Sequence, residues 1–190
     1  MPWFHRWPGA LRSSVKHLPN LLTAARLALA PYLFLLMFRH QYRTIIPLFI
    51  IIGITDVVDG FLARRFGASS RLGAYLDPIA DKVLLSGTFL VLALTGAIEW
   101  WLAAVVLGRD LLILAAAGIL YLATARRSFP PSPWGKISTF VQIVFLCFQI
   151  GYLSGIPVAP AVTALKWLTV ALAVASLADY ARRITAAETP

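Results

Sequence analysis

The chain has 190 residues, of which 59% are hydrophobic and 13% are charged, against about 45–50% and 25% in soluble globular proteins. This composition excludes a soluble domain, whose surface needs more charge, and a disordered chain, which lacks so many apolar side chains. The single cysteine, Cys147, excludes an intrachain disulfide scaffold. The formal net charge of +9 would suit nucleic acid, an anionic membrane surface or an anionic substrate. Because the basic residues punctuate apolar runs, nucleic acid is not an expected partner and an integral membrane protein is predicted.

Six apolar segments approach the length of about 20 residues that a helix needs to cross the hydrocarbon core. They are Leu21–Phe38, Ile45–Leu62, Val83–Ile98, Trp101–Ala123, Ile137–Leu153 and Val162–Tyr180. The sequence therefore predicts an all-α integral membrane protein with six transmembrane helices. These helices form a single membrane domain over residues 18–184, followed by a tail at 185–190.

The basic residues predict the orientation of these helices. They precede the first segment and follow the second, fourth and sixth, whereas the connections after the third and fifth carry none. Both termini are therefore predicted to be cytoplasmic, although Arg39 and Arg43 lie on the opposite side. Residues 1–17 combine Trp3 and Trp7 with basic residues, which favours an N-terminal amphipathic helix lying at the membrane interface. A signal peptide is the alternative for this segment.

The acidic residues are the most informative feature of the sequence. Four of the eight lie where the second apolar segment ends and the third is approached, namely Asp56, Asp59, Asp77 and Asp81. A lipid-facing aspartate costs about 2.5–3.5 kcal/mol on an insertion scale, so the bundle must turn them inward. At about 100° per residue, each pair lies on one face of its helix. Four carboxylates without clustered His or Cys favour Mg²⁺ or Mn²⁺, and their charge would balance two such ions, as in sites for phosphoryl transfer.

Each of these features also has a plain structural explanation. Asp77 before Pro78 could cap a helix that begins at the proline. Asp56 or Asp59 alone could belong to the proton or cation pathway of a transporter. The nearby glycines could be helix-packing positions, and the arginines after the second segment could be ordinary cytoplasmic flanks.

Taken together, the residues form one pattern, Asp56-x2-Asp59-Gly60-x2-Ala63-Arg64-x8-Gly73-x3-Asp77-x3-Asp81. This pattern resembles, at every fixed position, the signature of the CDP-alcohol phosphatidyltransferase family. Further motifs resemble those of the family's first, fourth and fifth helices: Pro19-Asn20-Leu21-Leu22-Thr23 with Arg26, Gly108-Arg109-Asp110, and Gly135-Lys136-x2-Thr139. The resemblance implies a homodimeric six-helix fold with its site at the cytoplasmic interface. CDP-diacylglycerol would donate its phosphatidyl group to an alcohol and CMP would be released.

The resemblance also implies roles for individual residues. The metal ligands, for two Mg²⁺ or Mn²⁺ ions, would be Asp56, Asp59, Asp77 and Asp81. Asp81 would in addition be the general base on the acceptor hydroxyl. The pocket for the CDP-lipid would be formed by Asn20, Thr23, Gly60, Ala63, Arg64 and Gly73.

The acceptor that the resemblance implies is a glycerol-type alcohol, either phosphatidylglycerol or glycerol 3-phosphate. Enzymes that use glycerol 3-phosphate typically show Arg-Glu where this chain has Arg109-Asp110. They also typically carry a further Arg and a further Lys where this chain has Ala117 and Ser138. Because a phosphate dianion calls for several cationic donors, the departures favour phosphatidylglycerol, whose phosphodiester has one charge, and hence cardiolipin synthesis.

Arg109, Lys136 and Arg126 would contact the acceptor phosphate. The alternative is that Arg109 only pairs with the neighbouring carboxylate while the other two flank helices. Two other protein classes use similar residues: an intramembrane prenyltransferase, which holds a diphosphate with Asp-rich helices and Mg²⁺, and a cation transporter. The compact chain favours the bacterial cytoplasmic membrane. The sequence assigns no role to Lys166 or Asp179.

Overall fold

The computed structural model describes residue 25 and residues 27–51, 71–123 and 132–188, which are helical apart from short turns. The helices are α1 (Leu27–Phe38), α2 (Tyr42–Ile51), α3 (Arg71–Leu94), α4 (Trp100–Ala123), α5 (Pro133–Leu153) and α6 (Ala159–Glu188). No strand occurs in these ranges, so the all-α prediction is confirmed for them. Two helices are long and apolar enough to cross a membrane, Pro133–Leu153 and Ala159–Arg183. The six spans and the cytoplasmic termini stay predictions, and the interfacial helix predicted at residues 1–17 lies outside the described residues.

Three of the helices end in the same type of turn. After α1, the amide of His40 donates to Met37 O and the amide of Gln41 donates to Leu36 O, at 2.9 and 3.0 Å. The same two bonds follow α3 and α5, where the residues with positive φ are Gly96 (72°) and Gly155 (98°). At the first turn the residue with positive φ is His40 (54°). This arrangement satisfies the last carbonyls of each helix and reverses the chain within a few residues.

The described residues form two compact units that divide within α3, after Thr88. In the first unit, α1 and α2 bury Leu33, Met37 and Ile45 completely. A Cβ on Gly87 of α3 would overlap the ring of Phe34. The glycine therefore allows α3 to approach α1 closely, as small residues do in membrane helix pairs.

In the second unit, α5 and α6 pack against each other through buried residues at intervals of three and four. The buried residues of α5 are Ser138, Val141, Gln142, Phe145, Leu146, Gln149 and Ile150, and those of α6 are Thr169, Ala173 and Ser176. Among them, Phe145 stacks on Phe89 of α3 and Gln149 donates to Ala97 O, so this face of α5 also contacts the region of α3 and the turn after it. We call this set of buried residues the seam, and its spacing is that of helices packed along one face. Unlike a seam of a soluble coiled coil, it contains five polar side chains, which suits helices that associate in an apolar solvent.

Two polar atoms inside this seam have no hydrogen-bond partner in the part of the chain that the structure describes. They are Gln142 Oε1 and Thr169 Oγ1. The two side chains lie at the same level, because Gln142 is seven residues after Gly135 and Thr169 is seven residues before Ser176. Gly135 and Ser176 face each other, since a Cβ on Gly135 would lie 3.7 Å from Ser176 Oγ.

We expect Thr169→Val to raise the free energy of unfolding by about 1 kcal/mol, because valine keeps the shape of threonine and removes a buried hydroxyl without a partner. Unfolding of the purified protein in detergent, followed by circular dichroism, measures the change. Thr163→Val is the control, since the exposed Thr163 hydroxyl donates to Ala159 O at 3.2 Å and its loss should change stability by less than about 0.5 kcal/mol. A less stable Thr169→Val protein would contradict the expectation.

Candidate functional site

The first half of α3 carries three of the predicted site residues. Gly73, Asp77 and Asp81 follow one another at intervals of four within the helix Arg71–Leu94, so their positions share one face of the helix. Asp77 is the seventh residue of α3, and the alternative in which it caps a helix beginning at Pro78 is therefore wrong. The predicted third span started at Val83, whereas α3 begins twelve residues earlier, because the helix continues through the polar residues that precede the apolar run.

The remaining predicted residues of the metal site and the CDP pocket lie outside the described residues. They are Asn20, Thr23, Asp56, Asp59, Gly60, Ala63 and Arg64, together with Arg126 of the predicted acceptor site. Among the described residues, no three His, Cys, Asp or Glu side chains form a cluster that could hold a metal ion. That observation leaves the four-aspartate site untested, since half of its ligands are in the range 52–70.

The donor set on α3 fits a hard divalent cation. Asp77 and Asp81 are one helical turn apart on one face, and the Asp81 side chain is exposed. Mg²⁺ and Mn²⁺ prefer carboxylate oxygens, and Mg²⁺ usually binds proteins through one or two carboxylates while it retains waters and contacts substrate phosphates. Two carboxylates at this spacing can therefore supply half of the predicted ligand set.

Arg109 of α4 lies where α4, α5 and α6 meet. It is only 6% exposed, its Nη1 donates to Asp110 Oδ1 at 2.6 Å, and its Nη2 donates to Ser176 Oγ of α6 at 2.5 Å. A Cβ on Gly135 of α5 would lie 3.2 Å from Nη2, so a glycine at this position leaves room for the guanidinium. The pairing of Arg109 with Asp110 that the sequence allowed is present. Contact of Arg109 with an acceptor stays a prediction.

The start of α5 is capped by Ser132. Its backbone is extended (φ −64°, ψ 139°), its Oγ accepts a hydrogen bond from the amide of Gly135 at 3.5 Å, and its carbonyl accepts from the amide of Lys136 at 3.2 Å. The Ser132 hydroxyl donates to Asp179 Oδ2 of α6. The same carboxylate oxygen accepts from Arg183 Nε at 2.8 Å. The Lys136 side chain is exposed in the first turn of this helix.

Sequence reasoning missed three residues of this region: Ser132, Ser176 and Asp179. Ser132 before Pro133 is a recognisable helix start, a capping serine followed by a proline at the first helical position. Asp179 is a charged residue at the end of an apolar segment, which marks it as a residue that needs a partner. Nothing in the sequence indicates that Ser176 faces Arg109.

At the other end of α5 and α6, Lys166 pairs with Glu99, with Nζ 2.7 Å from Oε1. The hydrogen bond from Lys166 lowers the pKa of the Glu99 carboxyl below its usual 4.5. The Lys166 ammonium also lies 6.0 and 5.8 Å from the ring centroids of Trp101 and Trp167. Tryptophans in such positions are typical of the membrane–water interface. Lys166 thus belongs to the end of this helix pair that is remote from Lys136.

A cleft of about 290 Å³ lies beside this ion pair. It is bounded by the turn between α3 and α4 and by residues of α5 and α6, including Phe145, Gln149 and Thr163. The Gln149 side chain links α5 to the turn between α3 and α4, because its Nε2 donates a hydrogen bond to Ala97 O at 2.7 Å.

Comparison with known proteins shows which family shares these features. The family model described as CDP-alcohol phosphatidyltransferase matches residues 16–179. A probable phosphatidylglycerophosphate synthase of Mycobacterium tuberculosis is 34% identical over 179 residues, which cover 90% of this chain and 83% of that protein. A CDP-diacylglycerol–glycerol-3-phosphate 3-phosphatidyltransferase of Salmonella choleraesuis is 38% identical over 70% of this chain and 76% of its own length. A probable CMP-forming cardiolipin synthase of Drosophila melanogaster is 31% identical over 74% of this chain and 48% of its own length.

Proposed function

We propose which alcohol accepts the phosphatidyl group and which residues carry out the transfer. The chain belongs to the CDP-alcohol phosphatidyltransferase family and is an enzyme of phospholipid synthesis. The proposed reaction transfers the phosphatidyl group of CDP-diacylglycerol to phosphatidylglycerol, which yields cardiolipin and CMP. The observation that supports this proposal is that Gly73, Asp77 and Asp81 occupy positions on one face of α3, as the family's motif requires.

In this proposal Asp77 and Asp81, with Asp56 and Asp59, hold two Mg²⁺ or Mn²⁺ ions. When bound, these ions stabilise the charge that develops on the diphosphate. Asp81 accepts the proton of the acceptor hydroxyl while the hydroxyl oxygen bonds to the phosphorus of the phosphatidyl group and the bond from that phosphorus to the bridging oxygen breaks. CMP leaves with that oxygen. The exposure of the Asp81 side chain supports this role, because a general base must come within hydrogen-bond reach of the hydroxyl, directly or through one water.

The CDP-lipid pocket is proposed to combine small residues with one cation. Gly60, Ala63 and Gly73 leave space for the nucleotide, and Arg64 pairs with phosphate oxygens, which a guanidinium recognises in a two-pronged geometry. Asn20 and Thr23 contribute polar contacts from the first helix. Except for Gly73, these residues lie outside the described ranges, so the pocket rests on the family motif.

The choice of phosphatidylglycerol rests on the charges around Arg109. Asp110 neutralises the buried Arg109 at 2.6 Å, and Ser138, which occupies a position where a second lysine is typical of glycerol-3-phosphate enzymes, is completely buried in the seam. The exposed Lys136, with Arg126, is then the main source of positive charge for the acceptor. This suits one phosphodiester charge better than a phosphate dianion.

Glycerol 3-phosphate is the second candidate, because the relative from Salmonella choleraesuis is named as a phosphatidyltransferase that acts on it, and the relative from Mycobacterium tuberculosis is named as a probable phosphatidylglycerophosphate synthase. The proposed setting is the bacterial cytoplasmic membrane, with the site on the cytoplasmic side and two copies of the chain forming a dimer. Arg182 and Arg183 lie at the same end of the α5–α6 pair as Lys136, as the positive-inside rule requires of a cytoplasmic end.

A single assay separates the two acceptors. Purified protein in detergent with Mg²⁺ or Mn²⁺ receives labelled CDP-diacylglycerol and either phosphatidylglycerol or glycerol 3-phosphate, and CMP and the lipid product are measured. We expect CMP release and cardiolipin with phosphatidylglycerol. Turnover with glycerol 3-phosphate alone would contradict the proposed acceptor and leave the family chemistry intact. If no CMP is released with either acceptor, both proposed acceptors are wrong.

A further inference from the structure

We propose that Asp179 and Ser132 form a polar latch between α6 and α5 that positions Lys136, which makes Asp179 a positioning residue for the acceptor. The inference rests on the proposed function for its consequence in catalysis. The latch itself rests on contacts among described residues. It joins two side chains 47 positions apart in the chain.

The direction of each hydrogen bond in the latch follows from the chemistry of its groups. An ionised carboxylate only accepts, so the Ser132 hydroxyl must use its one hydrogen toward Asp179. Its oxygen then presents a lone pair to the amide of Gly135, from which it accepts at 3.5 Å. Asp179 thus holds the Ser132 hydroxyl in the orientation in which its oxygen caps α5. Without the carboxylate, that hydrogen is free to turn toward the helix amides, and the cap is weakened.

The surroundings keep the Asp179 carboxylate in place. Arg183, one turn later on α6, donates Nε to the same oxygen at 2.8 Å. Ser132 is only 9% exposed and the Asp179 side chain 22%, so their bond is shielded from water on the Ser132 side and partly open on the Asp179 side. The negative charge also lies near the positive end of the α5 dipole, which favours it there.

The latch acts on Lys136 through the first turn of α5. The amide of Lys136 donates to the carbonyl of Ser132 at 3.2 Å, so a shift of Ser132 shifts Lys136 directly. Gly135, between them, is the residue that packs against the Arg109 guanidinium. Release of the latch therefore displaces both Lys136 and the Gly135 contact with α4, and the acceptor phosphate would lose one of its two proposed cations.

The test uses four variants: Ser132→Ala, Asp179→Ala, Asp179→Asn and the double alanine variant. Losing a helix cap costs about 1 kcal/mol, so each alanine variant is expected to raise the KM for the acceptor about fivefold, since 1.4 kcal/mol corresponds to about tenfold. The KM for CDP-diacylglycerol and the kcat at saturating acceptor should each change less than about twofold, which corresponds to less than half of the capping free energy. Asp179→Asn keeps an accepting oxygen and should recover most of the acceptor affinity.

A shared interaction predicts that the double variant is no worse than either single variant, because each substitution already removes the same bond. Additive effects would overturn the latch, and so would equal increases in the KM values of donor and acceptor or an unchanged KM for the acceptor. Glu99→Gln, a carboxylate change at the other end of the same helix pair, is the matched control and should leave both KM values unchanged.

Amide hydrogen exchange gives a readout that does not depend on activity. Exchange at Gly135 and Lys136 should accelerate about fivefold in Ser132→Ala and Asp179→Ala, by the same capping free energy, and should not change in Glu99→Gln. Unchanged exchange in both alanine variants would overturn the latch. If the wild-type protein releases no CMP with either acceptor, the proposed function fails, whereas the exchange measurement still decides the latch.

Discussion

Asp81→Asn is expected to lower kcat by about 10²–10⁴, the usual contribution of a positioned general base, while binding of CDP-diacylglycerol changes little. Asparagine keeps an oxygen that can contact a metal ion but cannot take up the proton of the acceptor hydroxyl at neutral pH. Release of CMP measures turnover, and binding of the CDP-lipid to the purified variant is measured separately. Near-normal turnover would contradict the role of Asp81 as base.

Asp77→Asn is the matched control for this experiment, since it changes the same group one turn away on the same face of α3. Asp77 is proposed as a metal ligand without a proton-transfer role, so its replacement should raise the concentration of Mg²⁺ or Mn²⁺ that is needed for half-maximal activity. Excess metal should therefore restore much of its turnover. Asp81→Asn should not respond to excess metal in this way. Identical behaviour of the two variants would leave no distinct role for Asp81.

The second large effect is expected from Arg109→Met, which should lower the free energy of unfolding by about 3–5 kcal/mol, the usual cost of removing one partner of a buried ion pair. The guanidinium is 6% exposed and the Asp110 side chain 8%, so the substitution leaves a carboxylate in a poorly solvated site. The variant also breaks the bond to Ser176 on α6. Equilibrium unfolding in detergent measures the loss.

Two further variants test the physical reason. In the double variant Arg109→Met, Asp110→Asn the buried negative charge that has lost the guanidinium is removed as well, so much of the stability should return. Lys166→Met breaks the more exposed ion pair with Glu99, whose side chain is 49% exposed, and should cost less than about 1 kcal/mol. If Arg109→Met is no less stable than Lys166→Met, the Arg109 pair does not hold the helix junction together.

The assignment of the chain to its family could be made from residues within two neighbouring segments. The pattern from Asp56 to Asp81 is defined by spacing along the chain, and the spacing of Asp77 and Asp81 on α3 is the one that the pattern requires. Helical periodicity is set by local backbone geometry, which is why residues four apart can be placed on one face without knowledge of the fold. The exclusion of a helix start at Pro78 needed the structure, because a capping aspartate and an internal one look alike in sequence.

The sequence by itself determined the all-helical class of the described residues and the carboxylate spacing of α3, and it predicted a membrane protein, since composition and period are properties of the chain. Only the tertiary structure decided which distant groups meet: Arg109 with Ser176, 67 positions away, Asp179 with Ser132, and Lys166 with Glu99. These contacts depend on the register between antiparallel helices, which is set by how whole faces pack. A local sequence pattern does not encode that register. The partners of these charged side chains could therefore not be predicted from the sequence.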